Sequence, residues 1–141
     1  MAQESKKIFI GSDVLYAFVD RAHPKYSQAA AYFRYFAQEK YQVYTGYLNT
    51  LETYGQIYSK ISPSLAKDFL RAITLSSINI LYPSENDMKA ALKTLINYRS
   101  ADLSFNQSQM AVLANRQSIH QVCTFDYLHP LFGLTVFYLP I

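Results

Sequence analysis

Two hydrophobic patterns alternate along this chain. Short, nearly continuous apolar runs predict buried β-strands, whereas apolar residues three or four positions apart predict amphipathic helices. The strand-like runs cover about residues 6–11, 41–45, 78–81, 120–124 and 134–139. Helical spacing fills most of the intervals between them. Strands separated by helices predict a central, mainly parallel sheet covered on both faces, so we expect a three-layer α/β/α fold.

Local signals indicate where several helices begin. Pro24 suits the first turn of a helix that reaches about residue 39, and Ser62-Pro63 should start one that reaches about residue 75. Ser104 and Gln107 have the spacing of a capping box, in which the Gln107 side chain bonds back to the Ser104 amide. A further helix should begin near residue 85.

The helical spacing also predicts which side chains face the core. The expected inward-facing stripes are Ala29, Tyr32, Phe33 and Phe36 in one helix, Leu48, Leu51, Ile57 and Tyr58 in the next, and Met88, Ala91, Leu92, Leu95 and Ile96 in a later one. Glu52 interrupts the second stripe. A carboxylate is costly to bury without a partner, so we expect Glu52 to face a polar cleft.

Composition narrows the class of protein. Half of the 141 residues are hydrophobic, which argues against disorder and fits one folded domain over residues 1–141. The single Cys123 excludes an internal disulfide and is expected in the core. There is no apolar run of about 20 residues and no signal-peptide pattern at the start, so we expect a cytoplasmic location. The net charge of +3 permits a polyanionic partner without arguing for one.

Polar residues follow several predicted strands. Gly11, Ser12 and Asp13 come directly after the first strand, and Asp126 comes just after the strand near residue 123. Ligands of parallel α/β sheets bind beyond the carboxyl ends of the strands. These distant segments, together with the helix start at Gln107, are therefore expected to meet in one cleft.

Residues 8–21 resemble the N-terminus of PIN-domain proteins, the Mg²⁺-dependent ribonucleases that include the VapC-type toxins. The resemblance continues through most of the chain, at residues 20–26, 49–52, 103–107, 124–126 and 133–136. It implies a PIN-like α/β/α fold, and it aligns Glu52 and Asp126 with two of the family's four acids. The other two acidic positions hold Gly11 and Gln107. Whether Gly11 is natural or an engineered inactivation is not decided by the sequence.

Two nearby acids offer replacements. Asp13 lies two residues beyond Gly11, roughly 6–7 Å away along an extended strand, so it serves only if the backbone turns. Asp102 precedes Gln107 and would need its loop to fold back. Alternatively, Asp13 caps the first helix and Asp102 is solvated. We take Asp13, Glu52 and Asp126 as the candidate catalytic and metal-binding residues.

The resemblance leaves several functions open. The favoured one is a PIN-like protein with a degenerate Mg²⁺ (or Mn²⁺) ribonuclease site, weakly active or inactive, that binds RNA or protein. The alternative is a metal-dependent endoribonuclease, the toxin of a toxin–antitoxin module, that uses a relocated acidic cluster. A third is a structural partner held by an antitoxin-like peptide. A homodimer is expected on family grounds, with the tyrosine-rich helices at residues 26–35 and 47–58 as its interface. No membrane partner is expected.

Overall fold

A computed structural model describes residues 6–98, 103–126 and 133–139. Its elements in chain order are β1 (Lys7–Ile10), α1 (Ser12–Val19), α2 (Tyr26–Gln38), β2 (Gln42–Gly46), α3 (Tyr47–Lys60), α4 (Pro63–Leu75), β3 (Asn79–Leu81), α5 (Glu85–Asn97), α6 (Phe105–Arg116), β4 (Gln121–Cys123) and β5 (Thr135–Val136). None of the helices in these ranges has the length and apolarity needed to cross a membrane.

The five strands form one sheet in the order β3-β2-β1-β4-β5, and each neighbouring pair is parallel. β1 lies at the centre and is buried on both faces. Ile8 and Ile10 join the core beneath α1 to α4, whereas Phe9 points to the opposite face and packs with Met110 and Leu113 of α6. This two-sided burial confirms the predicted α/β/α fold.

Helix starts agree with the sequence in most places. α4 begins at Pro63, and the Ser62 hydroxyl accepts a hydrogen bond from the Leu65 amide at 3.0 Å. The Ser104 hydroxyl likewise accepts from the Gln107 amide at 3.1 Å, which confirms the cap of α6. The reciprocal bond from the Gln107 side chain stays a prediction. α2 begins two residues after Pro24, because His23 Nδ1 accepts from the Lys25 amide and closes a turn ahead of the helix.

Two predicted stripes are wrong in part. In α5 only Ala91 is buried, while Leu92 and Ile96 are 45% and 78% exposed. α5 packs against α6, where the Ser108 hydroxyl donates to the Ala91 carbonyl at 2.8 Å. Leu92 and Ile96 lie on the part of α5 that this packing does not cover.

In α3 the inward face is largely polar. Its buried residues are Asn49, Thr50, Thr53 and Ile57. Leu51 and Tyr58, expected inside, are 42% and 52% exposed. The reason is that α3 lies against the start of α1, where buried hydroxyl and carbonyl groups need hydrogen-bond partners.

The aromatic residues of α2 are partly internal. Tyr32 is buried, and the Phe36 and Phe137 rings lie 5.0 Å apart in the same cluster. Tyr32 therefore belongs to the core and not to a tyrosine-lined interface. The homodimer itself stays a prediction.

Candidate functional site

The carboxyl ends of β1 and β4 lie side by side. Ile10 pairs with Cys123, and the Gly11 amide donates to the Cys123 carbonyl at 2.9 Å. α1 starts at the next residue, so the chain turns sharply beside the segment that follows β4. Cys123 is buried as predicted, and burial raises the pKa of its thiol. The functional groups at this edge therefore come from the residues that follow each strand.

Asp13 joins these two segments. Its Oδ2 accepts hydrogen bonds from the Thr124 hydroxyl at 2.8 Å and the Phe125 amide at 2.6 Å, and its Oδ1 accepts from the Val14 amide at 2.9 Å. The residue stands in the first turn of α1, where a negative charge is favoured by the helix dipole. Asp13 is thus not the N-cap of α1, a position held by Gly11, and it binds across the sheet edge.

Gly11 adopts ordinary extended backbone, with φ −78° and ψ 161°, so its conformation does not require glycine. The space beside it does favour a residue without a side chain. A Cβ placed on Gly11 would lie 2.9 Å from Asp13 Oδ1, closer than real Cβ contacts allow. The turn into α1 therefore brings the Asp13 carboxylate back to the place where a side chain at position 11 would begin.

A small polar pocket of about 150 Å³ opens at this edge of the sheet. The candidate residues Asp13, Glu52 and Asp126 all line it, and Gln107 is part of its wall. Asp102 lies outside the described residues. Glu52 is exposed on α3 and faces this polar pocket. The structure brings the three candidates together, while their catalytic role stays a prediction.

Buried amides behind the pocket were missed by sequence reasoning. Asn49 Nδ2 donates to Ser12 Oγ at 2.9 Å and to Asn106 Oδ1 at 3.2 Å. Gln109 Nε2 donates to Asn49 Oδ1 at 3.0 Å and to Asn106 Oδ1 at 2.8 Å. Asn106 Nδ2 in turn donates to Glu52 Oε1 at 3.4 Å. The available signal was the spacing of Asn49 and Glu52 on α3 and of Asn106 and Gln109 on α6, which places each pair on one helix face.

Asp126 has a perturbed acidity. Partial burial of its carboxyl group, followed by the nearby charge of Asp13, raises the pKa of Asp126 above its ordinary value, and the Lys25 ammonium opposes this shift. Its amide donates to the Thr124 hydroxyl at 3.1 Å, which places Asp126 directly after the Asp13 contact. The carboxyl group is therefore less acidic than a freely solvated aspartate.

This shift predicts a pH-dependent effect of Asp126→Asn. A carboxyl whose pKa is higher in the folded than in the unfolded state lowers the free energy of unfolding as pH rises through that interval. We expect the Tm of Asp126→Asn minus the Tm of the unmodified chain to be larger at neutral pH than below about pH 3.9, the ordinary pKa of Asp. Thermal melts across pH measure the difference, with exposed Asp68→Asn as the control. A Tm difference that is the same at every pH would contradict the raised pKa.

The PIN resemblance implies Mg²⁺, which prefers oxygen ligands in a compact octahedral arrangement. Among the described residues, no three His, Cys, Asp or Glu side chains gather closely enough to hold a metal ion. Asp13 already accepts three hydrogen bonds, and Glu52 accepts one from Asn106. The residues of this pocket therefore do not provide a ready-made magnesium site.

Comparisons with known proteins rest on structure alone, because no protein-family description and no curated protein matches the sequence. The chain is similar to VapC20 of Mycobacterium tuberculosis, a toxin that cleaves the sarcin-ricin loop, with 14% identity, a TM-score of 0.75, and coverage of 89% of this chain and 92% of that one. It is also similar to VapBC2 of Rickettsia felis, solved with a promoter DNA fragment, at 13% identity, a TM-score of 0.68, and coverage of 92% and 96%. It is also similar to FitAcB of Neisseria gonorrhoeae, at 16% identity, a TM-score of 0.63, and coverage of 93% of this chain and 96% of that one. The chain therefore has the VapC-type PIN-domain fold.

Proposed function

We propose that this protein is a PIN-like RNA-binding module whose ribonuclease site is degenerate, so that it binds divalent metal weakly and cleaves RNA poorly. The fold and the polar pocket at the sheet edge support the relation to PIN ribonucleases. The observation that carries the proposal is the hydrogen bonding of the Asp13 carboxylate. The Asp13 carboxylate, which lies where a side chain at position 11 would begin, accepts three hydrogen bonds within the protein.

The pocket's charge supports the same conclusion. Metal-assisted phosphodiester cleavage needs anionic ligands that hold the ion against its hydration shell. Here Gln107 contributes a neutral amide, and Glu52 accepts a hydrogen bond from a second amide, Asn106. Neutral amides bind Mg²⁺ more weakly than carboxylates do, so the site should lose metal easily.

Hydrolysis of single-stranded RNA in Mg²⁺ or Mn²⁺ tests this proposal. We expect the unmodified chain to cleave slowly, at a rate that Glu52→Gln changes little, because Glu52 does not act in an assembled metal site. Exposed Glu85→Gln on α5 serves as the matched control. Robust metal-dependent cleavage that disappears in Glu52→Gln would overturn the proposal and favour an active endoribonuclease built on Asp13, Glu52 and Asp126.

An antitoxin-like protein and a second copy of the chain are the partners that the resemblance to VapC-type toxins implies, and we include both in the proposal. Exposed aromatic side chains support a protein-binding surface. Phe18 of α1 and Tyr47 and Tyr58 of α3 are all exposed. Aromatic residues are enriched at protein interfaces relative to the rest of the surface.

A further inference from the structure

The polar pocket at the sheet edge has the size of a single small ring. Its volume is about 150 Å³, and an engineered protein cavity of about that volume binds one benzene molecule. Among the described residues that line the pocket, Asp13, Glu52 and Asp126 are acidic and none is a lysine, an arginine or a histidine. A phosphate group is therefore repelled from this pocket, whereas a neutral ligand that offers an N–H donor is favoured.

Asn106 presents a hydrogen-bond donor to the pocket. Its Oδ1 accepts from Asn49 Nδ2 at 3.2 Å and from Gln109 Nε2 at 2.8 Å, and both of these donor side chains are almost fully buried. These two bonds fix the orientation of the Asn106 amide, so that its Nδ2 points to Glu52 Oε1 at 3.4 Å. An amide nitrogen carries two hydrogens, so the second N–H of Asn106 is available to a ligand beside the Glu52 carboxylate.

Glu52 stands between two amides. Asn106 contacts one side of its carboxylate, and Gln56 lies one turn further along α3, where residues four apart are neighbours. Glu52, Gln56 and Asn106 all line the same pocket. Within the described part of the chain, Glu52 Oε2 and the Gln56 side chain make no hydrogen bond. The pocket wall therefore offers a donor, an anionic acceptor and a second amide, in that order.

This order matches the edge of uracil on which a ring N–H lies between two carbonyl oxygens. The N3–H can donate to the Glu52 carboxylate, while the amides of Asn106 and Gln56 donate to the O4 and O2 oxygens. Cytosine has an acceptor nitrogen in place of the N3–H, so it brings a lone pair against the carboxylate. Guanine has a ring N–H beside a carbonyl group, but its two fused rings exceed a cavity that suits one ring.

We propose that the pocket binds an unpaired uracil base of single-stranded RNA, with Glu52 as the acceptor of the N3–H. Met110 lies one turn after Asn106 on α6 and adds a thioether to the wall, which suits contact with an aromatic ring. The phosphates of the strand stay outside the acidic pocket. The proposal rests on the proposed function, that the chain binds RNA without an assembled metal site, and it names the base that is selected.

Binding of a fluorescent single-stranded oligoadenylate with one variable central nucleotide, in the presence of EDTA, tests the base pocket. We expect central uridine to bind about tenfold more tightly than cytidine or 3-methyluridine, within the range for one good contact pair on a base edge. 3-Methyluridine keeps both carbonyl oxygens but lacks the N3–H, so it isolates the contact with Glu52. Equal affinity for uridine and 3-methyluridine would overturn the proposal, and tighter binding of guanosine would show that uracil is the wrong base.

Glu52→Gln is the matching change in the protein. The glutamine amide can donate to cytosine N3 as well as accept from uracil N3–H, so the preference for uridine over cytidine should fall to about twofold or less. Glu52 is exposed on α3, and Glu85→Gln, at an exposed position of α5, is the control that should keep the full preference. An undiminished preference in Glu52→Gln would rule out Glu52 as the acceptor.

These outcomes are separable from the test of the proposed function. The affinities are measured without metal, and cleavage is compared at RNA concentrations that saturate both proteins, so a change in affinity does not alter that comparison. Robust metal-dependent cleavage would overturn the proposed function and leave a measured preference for uridine in place. RNA binding without a base preference would overturn the base pocket alone, whereas a failure to bind any of these RNAs would overturn both.

Discussion

Asp13→Ala is expected to lower the free energy of unfolding by roughly 2–4 kcal/mol, since hydrogen bonds to a charged group each contribute about 1.5–3 kcal/mol and are not additive here. The change removes the acceptor of the Thr124 hydroxyl and of the Phe125 and Val14 amides. For a domain of this size the loss corresponds to a decrease in Tm of about 5–12 °C. Urea or thermal unfolding measures it.

Asp68→Ala is the matched control for this stability prediction. Asp68 pairs with Arg71 on the exposed surface of α4 at 3.0 Å, and an exposed pair of this kind contributes little. Asp13→Asn should fall between the two, because the amide keeps one acceptor oxygen and most of the shape. If Asp13→Ala is no less stable than Asp68→Ala, the Asp13 carboxylate does not hold the end of β4 to the start of α1.

The acids that the resemblance to PIN domains implies at positions 11 and 107 can be introduced by substitution. Gly11→Asp with Gln107→Asp adds a carboxylate at each position, but the new Cβ at position 11 would lie 2.9 Å from Asp13 Oδ1. Adding Asp13→Ser removes that conflict and frees the space for the new side chain. We expect the triple variant to bind Mn²⁺ roughly tenfold more tightly or better than the unmodified chain, because affinity follows the number of charged ligands and their support.

Isothermal titration calorimetry measures this gain, and the double variant with Asp13 retained is its control. We expect the double variant to bind metal less tightly than the triple variant and to be less stable than the unmodified chain. The gain in RNA cleavage should be smaller than the gain in metal affinity, because the amides of Asn49 and Asn106 still surround Glu52. Tighter metal binding by the double variant would show that Asp13 and a side chain at position 11 do not compete.

The apolar pattern predicted the sheet and most helix starts because these depend on local sequence. Three continuous apolar residues at β1 can be satisfied only between two layers, as Ile8, Phe9 and Ile10 are. The predicted inward stripe of α5 was partly wrong because the exposure of a helix side chain depends on how much of its surface the neighbouring elements cover. The sequence of the helix alone does not determine that coverage. Leu92 is exposed for that reason.

The site was only partly predictable for a similar reason. The order of segments indicated that Glu52 and Asp126 share an edge of the sheet, but not that Asn49 and Gln109 are buried behind them. Burial of an amide is tolerable only when hydrogen-bond partners meet it, and the partners of Asn49, Ser12 and Asn106, come from distant parts of the chain. Asp13 became a candidate because it is an acid that closely follows Gly11 and the first strand. The Asp13 carboxylate lies beside Gly11 because the chain turns there into α1.

The close approach of Asp13 to position 11 also affects which single substitutions this chain tolerates. An acid at position 11 introduced while Asp13 is in place meets its carboxylate at once, and loss of Asp13 first leaves the Thr124 and Phe125 donors without their acceptor. Each of these two single substitutions is therefore expected to lower the stability of the chain. Moving the carboxylate from position 13 to position 11 is therefore expected to need both substitutions together.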